Sequence, residues 1–329
     1  MEIGCGEATE VVPLGTALRS HLTRHGWTRK WPAAPALAHL VGNAELSPAA
    51  RATDDQDVRY HERVSTGSVG VFTVATNVYF DYWRDMVLSA DRYLFPDQSV
   101  TFHVFTDQPN AVSEVQEQLH RAKVVAIEVP PYGWPEATLF RYRFAVENSH
   151  LLRQDVLMHL DADMLVVDSV GPGLDPASWI NGLAFVRHPG FRRPTGWRSI
   201  SYYAAHLRAA RIDYHARRSI GALGAWEQRP ESTAFVNRDR RDHYVYGAIW
   251  MGRREPLLAM CRDLDEKIRR DLSKDLIAEW HDESHLNRYA ADHPHTLLDC
   301  EYCYVEGWKN LAGLTPKIRV VDKGTHLTR

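Results

Sequence analysis

Asp155-Val156-Leu157-Met158-His159-Leu160-Asp161-Ala162-Asp163 is the stretch on which the fold turns. A short, mostly apolar run has the length of a buried strand, and it delivers two aspartates, one residue apart, directly at its end. Working outward, residues 69–74 form a β-branched run, and residues 79–94 carry Tyr82, Met86, Val87 and Tyr93 at helical spacing. Residues 100–105 read as a second strand, 113–120 as a helix, 124–129 as a strand, 139–152 as a helix and 156–160 as a fourth strand. Strands alternating with helices predict an α/β fold with a doubly wound sheet. Ligands of such sheets bind beyond the carboxyl ends of the strands, which is where Asp161 and Asp163 fall. Further on, residues 244–251 read as a buried strand, and 255–272 and 282–291 as helices. Residues 1–67, rich in Ala, Pro and charge, read as a partly helical extension.

Composition narrows the function classes. A chain of 329 residues with 44% hydrophobic content buries a sizeable core. Its 39 basic and 42 acidic side chains leave a net charge of -3, so neither nucleic acid nor an anionic membrane is attracted in general, and any such partner must be met by a local patch. No apolar run approaches the roughly 18 to 20 residues that span a bilayer, and the N-terminal residues lack the basic start and apolar core of a signal peptide, so a cytoplasmic location without integral membrane contact is expected. Of four cysteines only Cys300 and Cys303 are near one another, and they read as ordinary buried thiols.

One local patch stands out. Between Arg192 and Arg218 lie seven arginines and a single acid, Asp213. Ile200, Tyr203, Ala204, Leu207 and Tyr214 recur at helical spacing, which predicts an amphipathic helix with an arginine-rich outer face, either simply solvated or docking an anionic partner.

Two carboxylates at i and i+2 can grip one divalent cation, since hard oxygen ligands suit Mg²⁺ or Mn²⁺. The second concentration of chemistry is Trp280-His281-Asp282-Glu283-Ser284-His285-Leu286-Asn287. Three readings stay open for it. His281 and His285, four apart on a helix, could bind zinc with Glu283 as base, although Glu283 is one position from where zinc hydrolases carry it. Alternatively Asp282 and Glu283 are an acid pair at a helix start, one facing a reacting sugar and the other an acceptor hydroxyl. They could also serve only as partners of the helix dipole.

The ordered segments Val104-Phe105-Thr106-Asp107-Gln108-Pro109, Asp161-Ala162-Asp163-Met164, His188-Pro189-Gly190-Phe191, Trp280 through Asn287, and Lys323 with Arg329 resemble glycosyltransferase family 6, the histo-blood-group and α-1,3-galactosyltransferase family. The resemblance runs over residues 69–329 and is that of a soluble bacterial-type member. It implies a GT-A fold with a Rossmann-like nucleotide-binding half, a mixed sheet and an acceptor-binding half, and transfer of galactose or N-acetylgalactosamine from a UDP-sugar with retention. Residues 68–329 would be the catalytic domain: 68–165 the donor half, 166–315 the acceptor half with a basic insertion at 192–225, and 316–329 a tail closing over the diphosphate.

By the same resemblance Tyr79 stacks near the uracil, with Val74 and Thr76 beside it, and Arg141 lies near the donor. Asp161 and Asp163, around Ala162, hold Mn²⁺ or Mg²⁺. His188 and Trp280 contact the acceptor, and Asp282 a donor or acceptor hydroxyl. Glu283 is the nucleophile or the charge facing an oxocarbenium-like carbon, and same-face attack without a covalent intermediate is the other route to retention. Lys323 and Arg329 secure the diphosphate. Tyr246 is bulky and Ala248 adds a methyl where the donor sugar is selected, which favours galactose over N-acetylgalactosamine and leaves glucose open. The acceptor is expected to be a glycan or small molecule, and the basic insertion suggests an anionic one. A zinc hydrolase built on His281, His285 and Glu283, or a sugar-binding module without turnover, are the competing functions.

Overall fold

The computed structural model describes residues 67–322, Pro172 apart. The expected extension before Gly67, and Lys323 and Arg329, lie outside the described residues.

A seven-stranded sheet organises the protein. In chain order its strands and covering helices are β1 (Ser68–Val74), α1 (Tyr79–Tyr93), β2 (Ser99–Thr106), α2 (Val112–Gln116), β3 (Lys123–Glu128), α3 (Glu136–Leu139), α4 (Arg141–Glu147) and β4 (Val156–Leu160). There follow β5 (Met164–Val166), β6 (Leu183–Arg187), α5 (Trp197–Ala205), α6 (Leu207–Ile220), β7 (Val245–Arg253), α7 (Arg254–Leu272), α8 (His281–Asp292), β8 (Thr296–Leu298) and β9 (Ile318–Val320). The sheet order is β3-β2-β1-β4-β7-β6-β8, and β5 pairs with β9 in a separate ribbon. β3, β2, β1 and β4 are parallel, β7 is antiparallel to both β4 and β6, and β8 is parallel to β6. This mixed α/β sheet agrees with a GT-A-type fold.

Central strands are apolar throughout because both faces are covered, which is why their sequences show no alternation. Successive residues nevertheless part company. Val69, Val71, Met158, Ile249 and Met251 enter the core beneath α1, whereas Phe72, Leu157 and Trp250 enter the core shared with α4, α7 and α8. α1 buries Trp83, Met86, Val87 and Ala90 at helical spacing. It also buries Asp91, whose carboxylate accepts from the backbone N–H of His120 at 2.8 Å and of Ala122 at 2.8 Å.

Three elements depart from the sequence expectation. The helix read at 139–152 is two pieces meeting at Phe140, and the one at 113–120 shortens to α2. The amphipathic helix of the basic stretch is also two helices, and its apolar side chains point outward: Trp197, Ile200, Leu207 and Tyr214 are exposed. β5, β6, β8 and β9 add to the expected strands, and three of them are only three residues long, too short to carry a pattern. No helix among the described residues is long and apolar enough to cross a membrane.

Topology determines where chemistry gathers. The carboxyl end of β4 meets the amino-terminal part of β7, with Leu160 opposite Ile249 and the Asp161 N–H donating to the Ala248 carbonyl at 2.9 Å. Because β6 runs opposite to β7, its carboxyl end arrives at the same edge, where Arg187 faces Val245 and the His188 N–H donates to the Tyr244 carbonyl at 2.9 Å.

Candidate active site

α8 completes the edge, and its sequence explains how. Asn287 takes the place of a neighbouring strand: its Oδ1 accepts from the Val245 N–H at 2.8 Å, and its Nδ2 donates to the Val245 carbonyl at 2.9 Å. Ser284 Oγ accepts from the Trp280 N–H at 2.9 Å, tying the residue before the helix to its second turn. Held at both points, the first turn of α8 presents Glu283 to β7 and Asp282 to Arg141. The Gly247 N–H donates to Glu283 Oε2 at 2.8 Å. A Cβ at Gly247 would stand 3.0 Å from the Glu283 Cβ, so any larger residue would push Glu283 from this position.

Arg141 ties the acids together from beneath. Its guanidinium is buried and donates to the Thr138 carbonyl at 3.1 Å and to the Gly247 carbonyl at 2.9 Å. It also lies 3.1 Å from Asp161 Oδ1 and 3.4 Å from Asp282 Oδ2. Burial works against its charge, but Asp161 and Asp282 outweigh burial and hold its pKa above the usual value. His159 Nε2 is 2.9 Å from Arg141 Nη1 and 3.0 Å from Asp161 Oδ1; burial and then the Arg141 charge bring this imidazole down to about 4, so it is neutral at pH 7.

The two acids of α8 differ from free carboxyls. Burial pushes Asp282 up to about 6 against the pull of Arg141. Burial likewise pushes Glu283 up to about 8, helped by the Asp282 charge and opposed by the Gly247 N–H. Glu283 Oε1 lies 4.0 Å from His188 Nε2. Burial brings His188 down to about 3, and its Nδ1 accepts from the Gly190 N–H at 3.0 Å, which puts the proton of the neutral ring on Nε2, facing Glu283. The Tyr246 ring packs edge-on against His188 at 4.9 Å, and burial followed by nearby Asp163 raises its hydroxyl well above the usual phenol value. Tyr246, His188, Glu283 and the acids after β4 therefore share one sheet edge.

The remaining sequence candidates fall around this edge. Ala162 and Ala248 are buried, Asp163 is half-buried with its carbonyl accepting from the Val321 N–H at 2.9 Å, and Trp280 is half-buried at the start of α8. Val74 ends β1, Tyr79 begins α1, and the Thr76 hydroxyl donates to the Tyr132 carbonyl at 2.6 Å, so that hydroxyl is engaged within the protein. No sequence pattern gives His159, Asn287 or Thr138 its role at this edge. A glycine inside an otherwise bulky buried strand was the one available signal, for Gly247.

Two sequence expectations meet contrary geometry. In the zinc reading, His285 is buried against Asp271 at 3.8 Å and Thr233 at 3.5 Å, His281 stacks edge-on with Trp134 at 4.4 Å, and Glu283 faces Gly247. Among the described residues no three His, Cys, Asp or Glu side chains gather as a metal cluster. The zinc hydrolase is not favoured. For the basic insertion, Arg192 is committed to Asp299 at 2.9 Å and to the Asn310 carbonyl at 2.7 Å, and Arg193 to Asp213 at 2.6 and 2.9 Å. Both are structural clamps rather than free cations for an acceptor. Cys261, Cys300 and Cys303 are buried free thiols.

A family model for glycosyltransferase family 6 matches residues 53–179 and 190–326. The chain belongs to glycosyltransferase family 6. It is similar to rat histo-blood group ABO system transferase 1, 26% identical over 267 residues that cover 79% of this chain and 67% of the relative. Human globoside alpha-1,3-N-acetylgalactosaminyltransferase 1 is 25% identical over 310 residues, 92% of this chain and 77% of the relative. The Escherichia coli O-antigen biosynthesis glycosyltransferase WbnI is 22% identical over 242 residues, 72% of this chain and 88% of its own length. The protein is a hexosyltransferase by these relationships, and a turnover-free binding module is set aside.

Proposed function

We propose that this family 6 enzyme moves a hexose from a UDP-sugar to a glycan or small-molecule acceptor with retention at the anomeric carbon, using a divalent cation. The carrying observation is the placement of Glu283, one oxygen held by the Gly247 N–H at 2.8 Å and the other turned towards His188 at 4.0 Å, at the edge where β4 delivers Asp161 and Asp163. A carboxylate fixed there faces positive charge developing on the sugar as the diphosphate leaves. Both a covalent route and same-face attack use the same placement.

Two half-buried carboxylates one residue apart fit Mn²⁺ or Mg²⁺ by their hard oxygen donors, a cation of this kind taking its remaining ligands from phosphates and water. The acids also favour it: Asp161 and Asp282 share one buried guanidinium and Asp163 stands one residue on, so a diphosphate would meet net negative charge. When bound, the cation stabilises the departing diphosphate. Arg141 meanwhile sets the direction of Asp161 and Asp282, and His188 and Trp280 line the acceptor side. Val74, Thr76 and Tyr79 border the base, and Lys323 and Arg329 are the basic residues assigned to the phosphates. Tyr246 and Ala248 crowd an N-acetyl group more than a hydroxyl, so UDP-galactose is the favoured donor.

UDP release from a panel of UDP-hexoses, with Mn²⁺ or with EDTA, tests this. Mn²⁺-dependent release from one donor, lost in Asp163→Asn and in Glu283→Gln, is expected. Release that persists in EDTA removes the metal, and no release from any UDP-hexose removes the donor class.

A further inference from the structure

The insertion between β6 and β7 turns its apolar side chains to solvent. Of eight large hydrophobic residues exposed among the described residues, five fall on it: Trp197 at 81%, Ile200, Leu207 at 75%, Ile212 and Tyr214. They are organised. On α5, Trp197 and Ile200 stand three apart on one face. On α6, Leu207, Arg211, Tyr214 and Arg218 follow spacings of four, three and four and make a single stripe, while Asp213 and Ala216 turn inward. Arg218 Nη1 donates to the Tyr214 hydroxyl at 2.8 Å, bundling charge with ring.

The exposed charges of the two helices have one sign. Arg198, Arg208, Arg211, Arg217 and Arg218 belong to the two helices, and their one acid, Asp213, is buried and taken by Arg193 and the Tyr203 hydroxyl. The whole chain, at a net charge of -3, lacks such a bias, so the basic face is local.

We propose that α5 and α6 dock this protein on an anionic lipid bilayer, with Trp197, Ile200 and Leu207 entering the interfacial layer and Arg208, Arg211 and Arg218 meeting the phosphates. A basic, aromatic and aliphatic face is the composition that lies in the bilayer interface, apolar burial and attraction to anionic headgroups acting together. A free phosphate ligand leaves the exposed Trp197 and Leu207 without use. A second copy packed about a two-fold axis would set arginine against arginine. The Arg193–Asp213 and Arg192–Asp299 pairs anchor the insertion next to His188, so docking brings the acceptor side of the pocket to the membrane. The surface itself depends on neither the donor nor the cation.

The test is co-sedimentation of the full chain with vesicles of phosphatidylcholine alone and of phosphatidylcholine mixed with phosphatidylglycerol. Binding to the anionic vesicles, weakened by salt, is expected, with little on the neutral ones. Trp197→Ser with Leu207→Ser, and separately Arg208→Gln with Arg211→Gln, should each reduce the bound fraction about tenfold or more. Unchanged unfolding temperature in both variants shows that the fold is intact. Equal binding to both vesicle types, binding to neither, or retention by the serine variant overturns the proposal. So does a serine variant that sediments as before yet loses a dimer seen by light scattering, which would assign the face to a second copy.

Discussion

Replacing Arg141 tests the electrostatic design of the pocket most directly. The guanidinium serves five groups at once: the Thr138 and Gly247 carbonyls, His159, Asp161 and Asp282. Arg141→Met keeps volume but strands Asp282, whose side chain is 7% exposed, and leaves Asp161, at 30%, to water. Breaking a buried ion pair from one side costs about 3–5 kcal/mol. The more open Asp161 adds little, so the expected loss is about 3–4 kcal/mol, or roughly 6–16 °C in unfolding temperature for a domain of this size. The loss should grow with pH. Asp282 already sits up at about 6 with Arg141 present, and without that cation it rises further above its unfolded value. A raised folded pKa means stability that is present at low pH and disappears as pH rises through it, so the variant is penalised more at pH 8 than at pH 5. Arg141→Lys retains a charge but cannot fork to five partners, and should lose about 1–3 kcal/mol. Urea unfolding at pH 5 and pH 8 measures both. A loss under about 1 kcal/mol for Arg141→Met, or one independent of pH, would refute the reasoning.

Further outcomes follow from the same pocket. Gly247→Ala sets a methyl 3.0 Å from the Glu283 Cβ and 3.2 Å from Oε2, so UDP release should fall about tenfold to a hundredfold with a stability cost of only about 1–3 kcal/mol; unaltered release would show that the position of Glu283 is immaterial. Glu283, pushed up to about 8, is largely protonated at pH 6, so kcat/KM for UDP release should climb with pH and level off above about 8; a flat profile from pH 6 to 9 contradicts a role as carboxylate. The same shift predicts that the unmodified protein loses stability relative to Glu283→Gln as pH rises from its unfolded value towards 8.

Much of the region from β1 to β4 is legible in the sequence. Its strands are continuous apolar runs bounded by polar turns, α1 has a clean helical stripe, and Asp161 and Asp163 announce themselves by following a strand without a break. Local pattern suffices where an element's own length carries several repeats of its period. It failed on the basic insertion. Helical spacing of Ile200, Leu207 and Tyr214 says which side chains share a face, but which face is buried depends on what the rest of the chain places against it, and here nothing covers these residues among the described ones.

Residue types and their order determined the parallel strands, the acid pair at the end of β4 and the acid pair that opens α8. Tertiary structure decided how these meet. An antiparallel β7 brings Gly247 beside Asp161 and Glu283, segments separated by more than a hundred residues, and one arginine from α4 holds both groups of acids. Arg192 and Arg193 look like free charges in the sequence and are half-buried clamps in the fold, because their partners Asp299 and Asp213 become neighbours only when the chain closes. The shifted acidities of Asp282 and Glu283 have the same origin: removal of water, which no sequence spacing encodes, sets them apart from ordinary carboxyls.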